Sequence, residues 1–168
     1  MFEKNQVDSV ICTVGTSLYS NLLNANLEKN PEYSDLKNAF INYKNAEKSQ
    51  QKSFSLKKLS DEMLKIPPDC RILGAEINSL IAMQKKGFIT QKPERIIFFV
   101  SDTQEGKDIG SLLKSCFAHK KSPIKCAFTE TVTIEGLQDA DPLMFRTQGL
   151  SGIVRKMGEY YRKWRGSK

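Results

Sequence analysis

The most constraining feature of the sequence is a short apolar run near its middle that is followed at once by polar residues. Residues 94–100 read ERIIFFV, and residues 101–106 read SDTQEG. The run has the length and the β-branched and aromatic content of a strand, and it is the clearest strand that the sequence predicts. The polar residues after it are typical of a turn that leads into a helix.

Strands and helices alternate on both sides of this run. The predicted strands cover residues 7–14, 94–100 and 123–134. Apolar residues at helical spacing predict helices over 17–27, 33–43, 55–66, 70–86, 106–119 and 142–164. The last helix is expected to break into two pieces around Gly149 or Gly152. This order of elements predicts an α/β fold, a Rossmann-like three-layer domain with a mostly parallel central sheet.

A single domain is expected to occupy nearly the whole chain. The chain has 168 residues, which is enough for one domain with its own core. The predicted domain covers residues 1–165, and residues 166–168 are left as a tail. Residues 44–55 are rich in Lys, Gln and Ser, and we interpret them as a polar loop or a helical insertion.

The charge of the chain indicates an anionic partner. There are 26 Lys and Arg residues against 19 Asp and Glu residues, which gives a formal net charge of +7. Such a balance favours nucleic acid, nucleotides or acidic membranes as partners. No apolar run approaches the roughly 20 residues of a membrane span, and no secretory signal is recognised, so we expect no membrane partner and a cytoplasmic location.

The residues that usually hold metals or form disulfides are sparse and scattered. Cys12, Cys70, Cys116 and Cys126 form no C-x-x-C pair, and we interpret them as reduced residues in or near the core. The single histidine, His119, is expected to be a solvated residue at a helix end. The sequence therefore predicts no metal site and no cofactor.

Polar turns follow each of the three predicted strands, at 13–17, 101–106 and 135–141. Ligands of open parallel sheets bind at the carboxyl ends of the strands, beside helix N-termini. The first turn, TVGTS, offers backbone N–H groups and hydroxyls at the start of a helix, which suits a phosphate. The alternative is that a Ser or Thr only caps that helix. Neither a P-loop nor a G-x-G-x-x-G pattern is present.

The second and third polar segments have similar pairs of interpretations. Ser, Thr and Gln in 101–106 can hydrogen-bond a ribose or a base edge, whereas the alternative is that Asp102 or Thr103 caps the next helix. In residues 145–156, Arg146 and Lys156 flank small residues that allow a backbone to approach a ligand, and basic side chains there complement phosphates. The alternative is a surface helix interrupted by glycines.

These segments, in this order and spacing, resemble the CRISPR-associated Rossmann fold (CARF) family, and more narrowly its stand-alone members in type III CRISPR systems, which include ring nucleases. The segments that carry the resemblance are TVGTSL with Asn21, AEINSL at 75–80, VSDTQEG at 100–106, EGL at 135–137 and FRTQGL at 145–150.

The resemblance implies a homodimer that binds a cyclic oligoadenylate, usually cyclic tetra-adenylate, across its two-fold axis. It also implies metal-independent cleavage, in which a ribose 2′-hydroxyl attacks the adjacent phosphorus and leaves a 2′,3′-cyclic phosphate. Ser17 matches the hydroxyl residue of the family. Lys156 is our first choice for the basic catalytic residue, with Arg155 or Arg146 as the alternatives.

The resemblance further implies the residues that contact the ligand. They are Thr13, Gly15, Thr16, Asn21, Glu76, Ser101, Asp102, Thr103, Gln104, Gly106, Arg146, Thr147, Gln148, Gly149, Leu150 and Arg155.

Two other functions are compatible with the sequence. Many CARF domains bind the ring without cutting it and regulate a fused or separate effector. A basic α/β nucleotide-binding protein outside CRISPR systems is the third interpretation. Duplex DNA is not an expected partner under the CARF interpretations.

Overall fold

A computed structural model describes residues 6–24, 33–68, 70–137 and 141–165. The predicted end of the first helix, beyond Asn24, and part of the turn at 135–141 lie outside the described residues. The strands and α-helices, in chain order, are β1 (Ser9–Thr13), α1 (Ser17–Asn24), α2 (Ser34–Lys44), α3 (Ser49–Met63), α4 (Gly74–Lys85), β2 (Arg95–Ser101), α5 (Gln104–Ala118), β3 (Phe128–Ile134), α6 (Pro142–Met144) and α7 (Leu150–Arg165). A 3₁₀ turn, Arg71–Leu73, precedes α4, and a π-helical segment, Phe145–Gly149, joins α6 to α7.

The three strands form a parallel sheet in the order β1-β2-β3. The apolar run in β2 is the central strand, and residues 96–100 are all buried. The strands lie side by side in the same order as in the chain. If both crossovers, from β1 to β2 and from β2 to β3, have the same hand, their helices lie on the same face of the sheet. The structure therefore confirms the predicted α/β fold with a parallel, Rossmann-like sheet.

Alternate residues of β2 face two different cores, because successive side chains of a strand point to opposite faces. Ile96, Phe98 and Val100 belong to the main core with residues of helices α1 to α5. Ile97 and Phe99 belong to a smaller core, which is completed on the sheet by Ile134 and on α7 by Ile153, Tyr160 and Trp164. The sheet thus lies between a layer of several helices and a layer formed by α7.

Residues 44–55 contain the end of α2, a short connection and the first turns of α3. The helix that we predicted to begin at Ser55 begins at Ser49, so the predicted start is wrong by six residues. Polar contacts stabilise this first part of α3: the ammonium of Lys52 lies 3.2 Å from an Asp108 carboxylate oxygen and 5.0 Å from the centre of the Tyr43 ring. An apolar periodicity is therefore not needed to hold these turns in place.

The third predicted strand also begins later than expected, at Phe128 instead of residue 123. Ile124 is fully buried in the main core. It is held there by a turn in which the Ser122 hydroxyl donates to the Ile124 carbonyl at 2.8 Å. Apolar character at this position thus reflects core packing and not strand pairing.

The position of His119 corrects another prediction. His119 follows α5, as expected, but its side chain is only 22% exposed and its Nε2 lies 3.2 Å from an Asp61 carboxylate oxygen. Its Nδ1 accepts a hydrogen bond from the Lys121 backbone N–H. His119 therefore links α5 to α3 and is not a solvated residue.

The cysteines are placed as predicted. Cys116 is buried in the main core, and Cys12, Cys70 and Cys126 pack against it as free, half-buried thiols. Among the described residues, none of the helices is both long and apolar enough to cross a membrane.

The contact between β2 and α5 at Gly106 yields a test of the fold. A Cβ at Gly106 would lie 2.6 Å from the Ser101 carbonyl oxygen, because the first turn of α5 rests directly on the end of β2. We expect Gly106→Ala to lower the free energy of unfolding by about 1–3 kcal/mol, the usual cost of overpacking. Urea denaturation monitored by circular dichroism measures this change.

Gly158→Ala is the matched control, because a Cβ there would meet nothing closer than an Arg162 guanidinium nitrogen at 3.6 Å. Its effect on the unfolding free energy is expected to be a gain of about 0.5–1 kcal/mol, the usual difference between Ala and Gly inside a helix. Equal effects of the two substitutions would contradict the packing that we describe.

Candidate functional site

A cleft of about 550 Å³ lies at the carboxyl edge of the sheet, between the turns after β1 and β2 and the start of α7. We call it the hydroxyl cleft, because the side chains of Thr13, Thr16, Ser101 and Thr103 line it. The predicted ligand-binding residues in it are Thr13, Gly15, Thr16, Ser101, Thr103, Gly106 and Leu150. Residues of all three predicted turns therefore meet at one edge of the sheet, because Leu137 of the third turn also lines this cleft.

A second cleft, of about 460 Å³, lies on the other side of α7, where β3 ends. We call it the basic groove, because Arg155 and Lys156 line it. Of the other predicted ligand-binding residues, Thr147 and Gln148 are also in this groove. Within the described parts of the chain, Ser17 and Lys156 do not line a common cleft.

The carboxylate of Glu76 binds the turn after β1. Glu76 lies in the first turn of α4 and is 6% exposed. The Gly15 N–H donates to one Glu76 oxygen at 2.9 Å, and the Ser17 hydroxyl donates to the other at 3.2 Å. A carboxylate at the N-terminus of α1 is electrostatically favourable, because the helix dipole is positive there. The negative group at this helix start is therefore supplied by the protein itself.

This contact changes how the first turn can bind a phosphate. Gly15 and Ser17 already use a donor each on Glu76, whereas Thr13 and Thr16 are exposed side chains in the hydroxyl cleft. The half-buried Ser17 hydroxyl keeps its oxygen lone pairs as acceptors, because a hydroxyl has one donor and two acceptor sites. The Ser17 oxygen thus keeps acceptor capacity, although Ser17 itself lines neither the hydroxyl cleft nor the basic groove in the described structure.

Cys12, at the end of β1, is not available as a nucleophile at neutral pH. Burial, together with the negative charge of Glu76, raises the pKa of the Cys12 thiol to about 11. Because only the thiolate is strongly nucleophilic, the carboxyl end of β1 offers hydroxyl chemistry in place of thiolate chemistry.

The turn after β2 is organised by Thr103, which caps α5. Its hydroxyl oxygen accepts the Gly106 N–H at 3.1 Å and lies 2.7 Å from the Ser101 hydroxyl. The capping role that we considered for Thr103 is confirmed. The Gln104 side chain is exposed and donates to Asp108 at 3.0 Å, whereas Asp102 is half-buried.

The glycines of the third segment are explained by contacts within the chain. A Cβ at Gly149 would lie 2.6 Å from the Gly136 carbonyl oxygen, and one at Gly152 would lie 3.0 Å from the Ile134 side chain. Gly136 has a φ of +71°, which favours glycine. The close backbone approach that we expected toward a ligand is thus made toward the turn after β3. The predicted break around Gly149 is confirmed, because the π-helical segment ends there.

In the described structure, the two cations of the basic groove share the carboxylate of Glu159. The Lys156 ammonium lies 2.8 Å from a Glu159 oxygen, and the Arg155 guanidinium lies 4.0 Å from the other. The hydrogen bond from Lys156, with further help from its charge and that of Arg155, lowers the pKa of Glu159. An anionic ligand in the groove therefore competes with Glu159 for Lys156.

Six predicted ligand-binding residues line neither cleft in the described structure; they are Glu76, Asp102, Gln104 and Gly149, described above, together with Asn21 and Arg146. Asn21 is half-buried on α1, and Arg146 is exposed in the π-helical segment. The assignments of all the predicted residues to catalysis or to ligand binding stay predictions.

The sequence analysis missed several residues of the two clefts. They are Val14, Glu105, Leu137, Phe145 and Ile153 in the hydroxyl cleft, and Thr133, Ile134, Glu135, Ser151 and Gly152 in the basic groove. The signal for Thr133 and Glu135 was present, because they lie at the carboxyl end of β3. Ser151 required knowledge of how α7 is oriented. In the described residues, no three His, Cys, Asp or Glu side chains are grouped to hold a metal ion.

The comparisons with known proteins identify a family. The family model for a CRISPR-associated protein, Cas_APE2256, matches residues 71–168, more than half of the chain. The chain belongs to this CRISPR-associated family. The predicted association with CRISPR systems is therefore confirmed, and the narrower resemblance to ring nucleases stays a prediction. No curated protein matches the chain.

The matched residues include the turn after β2 and all of α7, which together contribute to both clefts. The turn after β1 lies outside the matched region, although Glu76, which holds it, lies within. The family match thus covers most of the candidate site but not the predicted catalytic residue Ser17.

The Glu76 contact yields a second test. We expect Glu76→Gln to lower the unfolding free energy by about 1–3 kcal/mol. The Gly15 N–H and the Ser17 hydroxyl each need an acceptor oxygen, and a glutamine amide has only one oxygen. Urea denaturation is the measurement. Glu94→Gln is the control, because Glu94 is 52% exposed and pairs only with its neighbour Arg95 in the described contacts. A surface pair contributes about 0–1 kcal/mol, so equal losses in the two variants would contradict the role of Glu76.

Proposed function

We propose that this protein acts in the cytoplasm as a homodimer that binds a cyclic oligoadenylate, and that this ring is cyclic tetra-adenylate. We further propose that it cleaves the ring, without a metal ion, to linear di-adenylate with a 2′,3′-cyclic phosphate. Cleavage of this kind switches off type III CRISPR signalling. The proposal combines membership of a CRISPR-associated family with the resemblance to CARF ring nucleases.

The observation that carries the proposal is the arrangement of two clefts around the start of α7, a largely apolar one that presents hydroxyls and a polar one that presents cations. One cleft presents hydroxyls beside the N-termini of α1 and α5, and the other presents Arg155 and Lys156. Both lie where parallel α/β sheets bind their ligands. A ring of phosphates and riboses needs both kinds of group, because hydroxyls bind riboses and cations bind phosphates.

In the proposed reaction, Ser17 orients the attacking group. Its hydroxyl donates to Glu76, so its oxygen accepts a hydrogen bond from the ribose 2′-hydroxyl. The 2′-oxygen then bonds to the adjacent phosphorus, the bond from phosphorus to the 5′-oxygen breaks, and the 2′-hydroxyl proton is transferred overall to the leaving 5′-oxygen. Alignment of the attacking oxygen with the leaving oxygen supplies part of the acceleration.

Lys156 is proposed to stabilise the negative charge that develops on the phosphorane and the leaving oxygen. Its side chain is 31% exposed and opens to the basic groove. Arg155 shares the groove and is the first alternative, whereas Arg146 lies outside the groove lining.

A binding-only sensor is the second candidate function. It is favoured by the separation of Ser17 and Lys156, which line no common cleft within the described residues of one protomer. A sensor has to bind the ring in the two clefts, but it does not need Ser17 and Lys156 to act on the same phosphate. It then passes the signal to an effector. Cleavage assays distinguish the two functions directly.

The first functional test compares Ser17→Ala and Lys156→Ala with the unmodified protein in EDTA, using radiolabelled cyclic tetra-adenylate. Each variant is expected to slow cleavage by about 10²-fold, the usual effect of losing one catalytic group. Binding, measured by gel shift, is expected to change by less than about tenfold, a difference of roughly 1.4 kcal/mol.

Lys114→Ala is the control for loss of positive charge, because Lys114 is exposed on α5 and outside both clefts in the described structure. Its cleavage rate is expected to stay near that of the unmodified protein. A tight shift with no cleavage by the unmodified protein would support the sensor. Neither binding nor cleavage of the tetra-adenylate or hexa-adenylate ring would rule out both candidates.

A second functional test uses the competition between the ligand and Glu159. Glu159→Gln removes the carboxylate that binds Lys156, so we expect several-fold tighter ring binding at low salt. The gain should shrink as salt rises, because the competing interaction is exposed and ionic. Filter binding across a salt series is the measurement, with the exposed Glu47→Gln as the control for net charge. Equal gains in both variants would show a general charge effect.

A further inference from the structure

Four large apolar side chains form an exposed stripe along α7. Leu150 is 44% exposed, Val154 70%, Met157 47% and Tyr161 62%. Their spacing of four, three and four residues places them on one face of the helix. We call this set the α7 stripe. Single exposed apolar residues are ordinary, but a continuous row of this kind marks an interaction surface.

The stripe lies beside the part of the sheet that α7 leaves open. Ile153, Tyr160 and Trp164 face inward and pack on the sheet. The stripe instead lies toward β1: Leu150 lines the hydroxyl cleft with Thr13, and Tyr161 lines a groove with Ser9 at the other end of that strand. The residues of β1 are half-buried or exposed. Within the described ranges, the helical side chains that pack on this face all come from α7, so β1 keeps a partly uncovered side next to the stripe.

We infer that the α7 stripe binds the same stripe of a second copy of this chain, with the two α7 helices parallel and the two-fold axis running between them. This inference deepens the proposed function, because it rests on that function for the requirement of two copies and names the surface that joins them.

The pattern of apolar residues favours a second copy as the occupant. Residues 150, 154, 157 and 161 follow the a and d positions of a heptad, with Leu150 at d and the β-branched Val154 at a. Leu at d with a β-branched residue at a is the combination that favours parallel pairs of helices. A two-fold interface also requires a surface that is complementary to itself, which an uncharged apolar row satisfies.

The charges of α7 are arranged in agreement with this occupant. Five of the charged residues of α7 fall at heptad positions b, c or f, away from the stripe; they are Arg155, Lys156, Glu159, Arg162 and Lys163. The e positions flank the line along which the two stripes would meet; Ser151 and Gly158 there are small, and Arg165 lies beyond the last stripe residue, at the end of the helix. Two copies of a chain with a net charge of +7 can therefore meet along residues 150–161 with the cations of that stretch turned away from the contact.

The parallel orientation follows from the place of the cleft. Leu150 belongs both to the stripe and to the hydroxyl cleft. Parallel helices bring Leu150 of each copy together, so that the two hydroxyl clefts lie side by side at one end of the pair. Antiparallel helices would instead separate the two clefts by the length of α7, about 24 Å for 16 residues. A ring with two-fold symmetry fits the parallel arrangement.

The experiment begins with the mass of the protein in solution without ligand, by sedimentation velocity. The unmodified chain is expected at twice its 19.0 kDa mass, and Val154→Glu is expected at the mass of one chain, because a buried carboxylate in the seam is unfavourable. Phe54→Glu is the matched control, since Phe54 is 72% exposed on α3, and it is expected to remain dimeric. A monomeric unmodified protein, or a dimeric Val154→Glu variant, would overturn the inference.

The orientation is tested by Val154→Cys under mild oxidation. In a parallel pair residue 154 faces residue 154 of the other copy, so a reducible dimer with a 154–154 linkage is expected by non-reducing electrophoresis and peptide mass spectrometry. Phe54→Cys, with the same native cysteines, is expected to give no such linkage. A dimer that Val154→Glu disrupts but in which Val154→Cys forms no 154–154 linkage would overturn the parallel orientation.

The affinity for cyclic tetra-adenylate is measured next, because it tests the proposed interface and the proposed ring-binding function separately. If Val154→Glu is a folded monomer and loses at least tenfold in affinity for cyclic tetra-adenylate, the interface and the shared site are both supported. If it is monomeric and binds as tightly as before, the interface stands and the two-copy site fails. If the unmodified dimer binds no ring at all, the interface stands and the proposed function fails.

Discussion

The carboxylate of Glu76 joins the helical layer to the functional edge of the sheet, and the geometry of the candidate site depends on it. It lies in the first turn of α4, is almost fully buried, and accepts hydrogen bonds from Gly15 and Ser17. Because these donors flank the start of α1, one side chain fixes both the turn after β1 and the hydroxyl that we propose to orient a ribose. A buried carboxylate is stable there because its two oxygens are paired.

The other side of the site depends on close backbone contacts instead of charge. Gly106 allows α5 to start against the end of β2, and Gly149 allows the π-helical segment to rest on Gly136. These contacts determine where α7 begins and therefore how it divides the carboxyl edge into two clefts. Hydroxyls and cations are consequently presented on opposite sides of one helix.

The same helix has three faces with three different environments. Its inner face packs on the sheet, its polar face lines the basic groove, and its remaining face is the apolar stripe. A helix with this distribution connects the site to any partner that covers the stripe. For a ligand with two-fold symmetry, such a connection offers a physical route by which assembly and ligand binding support each other.

The order of strands and helices, the parallel sheet and the polarity of the turns can be predicted from the amino-acid sequence, because these follow from local periodicity and from residue type. The strand at 94–100 and the break at Gly149 were predicted in this way. Which of the polar residues bind each other depends on how the chain folds. Glu76 lies 61 residues from Gly15, and the Gly149 contact is with a turn after another strand. Contacts between distant residues leave no periodic signal in a single sequence, so the division of the predicted site into two clefts became visible only in the folded chain.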